Sequence, residues 1–191
     1  MNRNTLILIA SLLLLGGCST FQPHQINLTS IHPAISPQHK LSDSQQIEVE
    51  SQDMRSSSLI GFRISRLSDR AEVNLPLPAT KALSEAAKVA LVKLGATPAA
   101  DNGTAKITVK LEELSYTATQ KALQTVDLSV TIQINAEQFN ETFSGSYTTD
   151  KQYQYATTPS LQDNEQMVNE VITLSIGRAF NDPKLISFLK N

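Results

Sequence analysis

Residues 126–134 read Val-Asp-Leu-Ser-Val-Thr-Ile-Gln-Ile. Val126, Leu128, Val130, Ile132 and Ile134 alternate with Asp127, Ser129, Thr131 and Gln133 without a break. Period two puts the β-prone apolar side chains on one face of a strand and the polar ones on the other. A strand of this kind belongs to a sheet with one wet face and one face that needs a covering layer.

The flanking stretches repeat the pattern. Upstream, Ile107, Val109 and Leu111 alternate with Thr108 and Lys110, then the apolar face switches to Leu114 and Tyr116. That switch places a bulge near Glu112-Glu113. Downstream, a tight connection near Gln138 to Asn140 leads into a third strand over 142–150, with Phe143 and Tyr147 as its markers. Strands joined by short loops pair antiparallel. Further upstream, Ile47 and Val49 alternate with Glu48 and Glu50. Ser56-Ser57-Ser58 reads as a turn, and a strand follows over 59–65 with Phe62 and Ile64 on one face. Val73 and Leu75 mark a short strand before Pro76 and Pro78.

Two helical stretches supply the covering layer. In 80–94, Leu83, Ala87, Ala90, Leu91 and Leu94 form one stripe, and Gly95 fits the left-handed stop. Ser160 caps a second helix running from Leu161 to about Arg178, with Val168, Val171, Ile172, Ser175 and Ala179 on its inward stripe. Asp182-Pro183 starts a short last helix that tucks Leu185, Ile186, Phe188 and Leu189 inward. The expected fold is therefore α+β: a mainly antiparallel sheet with two longer helices packed on one face and a short C-terminal helix.

The N-terminus carries a different message. Arg3, an apolar run over 5–15, and Gly16-Gly17 before Cys18 have the three parts of a secretory leader. Cys18 is the single cysteine and sits where a lipobox requires it, so it is the expected lipidation site. The apolar run is too short to span a bilayer, which takes about 20 residues. Ser19, in place of Asp, favours the outer membrane, with the domain facing the periplasm. The expected division is 1–17 signal peptide, 18–46 lipidated N-terminus and tether, and 47–191 one periplasmic domain. The tether is rich in Pro, Ser and Gln and holds all three His. Ile26 and Leu28 alternate with polar neighbours and leave open an edge strand that would shorten it.

Removing Arg3 with the leader leaves 15 basic against 18 acidic residues, an excess of acid that speaks against nucleic acid as a partner. His24, His32 and His39 fit no structural zinc spacing, so no metal and no cofactor is expected. With no His beyond residue 46, a Ser-His-Asp hydrolase lacks a base. Glu112 and Glu113 point to opposite faces of a strand unless the bulge re-aims them. Arg63, Arg66 and Arg70, beside Asp69 and Glu72, read as a solvated loop, with a phosphate or lipid head-group contact as the alternative.

The lipobox, the strand Ile47-Glu-Val-Glu-Ser-Gln-Asp53-Met-Arg55, the Leu59-Ile60-Gly61 entry and the helix ending Lys93-Leu94-Gly95 resemble the YajG-type lipoproteins. The likeness extends over nearly the whole chain. It implies anchoring and the fold and carries no catalytic residue with it. Asp53 and Arg55 lie at i and i+2. A local ion pair organising the turn is their default reading, and a ligand-facing pair is the alternative. Tyr147, Tyr153 and Tyr155 cluster at the end of the last strand, where cross-strand packing competes with a binding surface. Together these five are the candidate partner surface. The sequence thus points to a non-enzymatic, lipid-anchored module that docks an unknown envelope protein. A carrier of a small apolar or lipidic ligand is the alternative, and a cell-wall hydrolase using Glu112 or Asp53 comes third.

Overall fold

The computed structural model describes residues 21–29, 31–38, 40–41, 45–65, 67–101, 103–120 and 122–190. The leader, Cys18 and Ser19 lie outside them. The strands are β1 (His24–Gln25), β2 (Gln46–Asp53), β3 (Leu59–Ile64), β4 (Arg70–Asn74), β5 (Thr97–Ala99), β6 (Ala105–Gln120), β7 (Gln124–Gln138) and β8 (Glu141–Tyr155). The helices are α1 (Thr80–Leu94), α2 (Leu161–Phe180) and α3 (Pro183–Lys190). The class is α+β, as the pattern of elements indicates.

The eight strands form one sheet, and it is mixed. The expectation of a mainly antiparallel sheet is corrected on this point. Among the described residues, β1·β4, β2·β5, β2·β6 and β3·β6 are parallel, and β3·β4, β6·β7 and β7·β8 are antiparallel. The antiparallel pairs are those joined by short turns. The β2·β5 pair is parallel because α1 carries the chain back between them, a crossover that hairpin logic does not see. β6 is the spine. Its first half pairs with β2, its second half meets β3, and its whole length pairs with β7. The two long helices do not share one packing site. α1 lies over β2, α2 lies over β7 and β8, and the helices touch each other.

The central alternation is realised: Val126, Leu128, Val130, Ile132 and Ile134 are all buried. They meet Val168, Val171, Ile172 and Ile176 of α2 and Leu83, Ala87, Ala90 and Leu91 of α1 in one apolar core. The bulge falls at Glu112, where the β6·β7 register shifts between Leu111 and Glu113. Both glutamates are exposed. In β3 the expected face is corrected. Ile60 and Arg63 are buried while Phe62 is exposed. A register shift between Leu59 and Gly61 breaks the alternation there.

Helix ends follow local chemistry. Gly95 takes φ 94° and its N–H closes onto Leu91 and Val92 carbonyls. Ser160 and Asp163 form a reciprocal capping box at the start of α2. Phe139 and Asn140 both take positive φ in the β7–β8 turn, as a two-residue hairpin turn demands.

The expected tether is also corrected. Ile26 is fully buried, and Ile31 and Leu41 nearly so. β1 extends the sheet by pairing with β4, and Ile26 N–H donates to Asn74 at 2.7 Å. Asn27 N–H and Nδ2 donate to Glu165, and Thr29 N–H donates to Asn169 Oδ1, both on α2. Ser36 N–H donates to Asn181. The physical reason is plain: Ile26, Ile31 and Leu41 find an apolar seam, and α2 supplies side chains to the backbone polar groups beside them. Phe21 thus already belongs to the folded domain, and the described residues between 21 and 41 form a docked strap.

Candidate functional site

The Asp53–Arg55 pair is inward. The two side chains are 1% and 5% exposed and meet at 2.7 Å. Arg55 Nε and Nη2 grip both carboxylate oxygens, and Arg55 Nη1 donates to the Leu75 carbonyl. Asp53 Oδ2 also accepts from Ala79 N–H at 2.8 Å. Ala79 stands at the N-cap of α1, where it offers no side-chain acceptor. Asp53 therefore supplies from β2 the negative charge that the helix start lacks. Burial would push its carboxyl up. The Arg55 and Ala79 hydrogen bonds outweigh burial and hold it below its ordinary range.

The tyrosines lie along β8 against the helices. Tyr147 donates to Asp182 Oδ2 at 2.7 Å. Tyr153 donates to Glu170 Oε2 at 2.9 Å, and Lys151 pairs with the same carboxylate. Lys151 Nζ also stands 5.2 Å from the Tyr153 ring centre. Burial and these acceptors raise both phenols. Tyr155 is raised by burial, with Asp163 and Glu170 adding to it. Tyr153 ties β8 to α2, Tyr147 ties it to the link between α2 and α3, and the Asp53–Arg55 pair stands elsewhere, at the start of α1. The structure does not bring the five residues together on one surface.

Arg63 departs from the solvated loop that the sequence suggests. It is 5% exposed. Its Nη2 donates to the Gln22 carbonyl at 2.6 Å, and the Phe21 ring lies 4.6 Å from its guanidinium carbon. Its Nε has no partner among the described residues. Nearby, Tyr116 donates to Asn164 Oδ1 at 3.0 Å, and Asn164 Nδ2 meets His24 Nδ1 at 2.7 Å. Asn164 spends its oxygen on Tyr116, so its amide donates to an unprotonated Nδ1 and the His24 proton sits on Nε2. Burial, then the Arg63 charge, pushes His24 down to about 4, with Glu165 opposing. His24 thus belongs to the folded domain, against the expectation that all three His are tether. His32 is exposed, and His39 lies outside the described residues. Among the described residues, no group of three or more His, Cys, Asp or Glu is placed to hold a metal.

The feature that sequence reasoning missed is a groove of about 410 Å³ on the flank. One wall is the strap, with Ile26, Leu28 and Ile31. The other is the β4–α1 connection and the start of α1, with Pro76, Pro78 and Ala82. Lys81 and Glu85 stand at its edge. The alternation of Ile26 and Leu28 was the available signal. Its partner wall lies some 50 residues away, and no local pattern joins the two. The outward face of β6–β8 is by contrast a wet lattice. Thr131 and Thr148 share a hydrogen bond, Asn135 and Ser144 share another, and Gln152 donates to Asp127.

The family model described as an uncharacterized lipoprotein matches residues 33–190. The chain belongs to that lipoprotein family. The YajG-type resemblance agrees with it. Among solved structures, the chain is similar to a Xanthomonas campestris protein of the DUF330 family. The TM-score is 0.54 at 8% identity, over 89% of this chain and 97% of that one. That likeness shows the fold. A minor lipoprotein from Acinetobacter baumannii scores 0.42 at 14% identity, over 76% of this chain and 90% of that one. No curated protein matches. Among the described residues no helix is long and apolar enough to cross a membrane. Membership of a lipoprotein family goes instead with attachment by lipid at the cell envelope.

Proposed function

We propose that this lipoprotein is a non-enzymatic docking module, held by lipid on Cys18 at the outer membrane and facing the periplasm. Its partner is an envelope protein that lays a short apolar segment in the flank groove. One observation carries the reading. The charged and aromatic groups that chemistry would need are engaged in holding the fold, while the groove between strap and α1 stays open and is lined mainly by apolar residues, with Asn27, Thr29, Lys81 and Glu85 among them. Two prolines and Ala82 make a wall of fixed shape with few polar atoms to satisfy, which suits an extended apolar peptide. Ser19 after the lipidated cysteine favours the outer membrane.

The ligand-carrier alternative has less room. The space between sheet and helices is filled by the apolar core, which confines any ligand to the same flank groove. A photocrosslinker at Leu28, in the anchored protein in its own envelope, tests the proposal. The expected result is one reproducible protein adduct that disappears on Ala82→Glu. An adduct indifferent to that change, or none above a control probe at Ser129, overturns it.

A further inference from the structure

The sheet register gives the domain two distinct ends. At one end β6 turns into β7 around residues 122–123, and Ile64 opposite Arg70 puts the β3–β4 turn there too. Gln124 Nε2 donates to the Ile64 carbonyl at 2.7 Å, tying the two turns together. Tyr155 pairs with Gln124, so β8 ends here and α2 starts here. Phe21, stacked on Arg63, marks the same end. The other end carries the Phe139–Asn140 turn, the length of β7 away, about 45 Å along the strand.

Cys18 precedes Phe21 by three residues, which span at most about 11 Å even fully extended. Because the strap is docked, that short lead is all the slack the anchor has. It is far less than the separation of the two ends. The near end also presents apolar side chains to solvent: Leu67 is 85% exposed, Leu123 47% and Leu161 41%. Arg70 and Asp69, of opposite charge, are exposed among them.

We infer that this end is a membrane-contact surface, with Leu67, Leu123 and Leu161 resting in the interfacial region of the bilayer that holds the lipid. Apolar side chains entering the acyl boundary add to the hold of the acyl chains. The inference rests on the anchoring reading and adds an orientation to it. The flank groove begins at Ile26, five residues along the strap from Phe21, about 17 Å further from the bilayer along the extended chain. The docking face is thus held clear of the headgroups.

The chain contains no tryptophan, so single probes are clean. Leu67→Trp, Leu123→Trp and Phe139→Trp are made in the full lipoprotein and reconstituted in phosphatidylethanolamine–phosphatidylglycerol vesicles. Bromine is carried on the upper part of the acyl chains. All three sites are exposed, and circular dichroism checks each fold. The expected result is blue-shifted, bromine-quenched emission at 67 and 123, and solvent-like, unquenched emission at 139. Equal quenching at both ends, quenching at 139 alone, or none at 67 and 123 overturns the orientation. Mass spectrometry of the same samples separates the two readings. An unmodified Cys18 removes the anchor and the orientation together, whereas an acylated Cys18 with no quenching at 67 and 123 removes the orientation alone.

Discussion

Asp53 shows how a side chain that looks functional is spent on structure. Replacing it with Asn leaves the Arg55 guanidinium buried with half its partner gone. The expected loss is about 3–5 kcal/mol, read as a fall in the urea midpoint. The carboxyl is held below its ordinary range, so its contribution is present above about pH 3.8 and is lost as pH falls through the lowered value. His24 governs a different window. The unfolded chain takes up a proton near pH 6.5 and the folded chain only near 4, so stability falls as pH drops from 6.5 to 4 and is level above 6.5. His24→Gln is expected to flatten that slope in urea titrations between pH 7.5 and 4. An unchanged slope would place the imidazole elsewhere. The i, i+2 spacing made the Asp53–Arg55 pair legible. Nothing local to Arg63 foretold its burial, because its partners Gln22, Phe21 and Pro159 lie far off in sequence.

Among the elements, the β3·β6 contact is the least forgiving. A Cβ on Gly61 would stand 1.8 Å from the Tyr116 carbonyl oxygen, so backbone must move to admit it. Gly61→Ala is expected to cost about 3 kcal/mol, measurable as a lowered unfolding midpoint. The strap is the second test. Ile26→Ala empties a fully buried site and is expected to cost about 2–5 kcal/mol. Exchange at the amides of 24–29 should rise more than exchange in β7, because the strap is held along one edge and β7 along two. Both helix starts and stops, the long hairpins and the bulge could be read from residues 80–183, where period and caps are local signals. β5 and the parallel pairings could not, and of β1 only the alternation of Ile26 and Leu28 beside it gave a hint. Two- and three-residue strands carry no period, and a parallel neighbour is chosen by packing across a crossover.

On the scale of the whole molecule, the proposed tasks fall to different parts of the surface: a groove for a partner and an end for the bilayer. The long polar face of β6–β8 has its hydrogen bonds met across the strands. Charge there should matter little, and Asp127→Asn is expected to shift the unfolding midpoint by less than about 0.5 kcal/mol. The strap adds a constraint in time. Its partners Asn164, Glu165, Asn169 and Asn181 are synthesised some 140 residues after it. A chain threaded head-first through a translocation pore therefore delivers its leading segment long before the surface that will clasp it. On the anchoring proposed above, that segment stays open to an enzyme acting at Cys18 until α2 emerges. The strap can close only once α2 and Asn181 are made, so its order of assembly runs from tail to head.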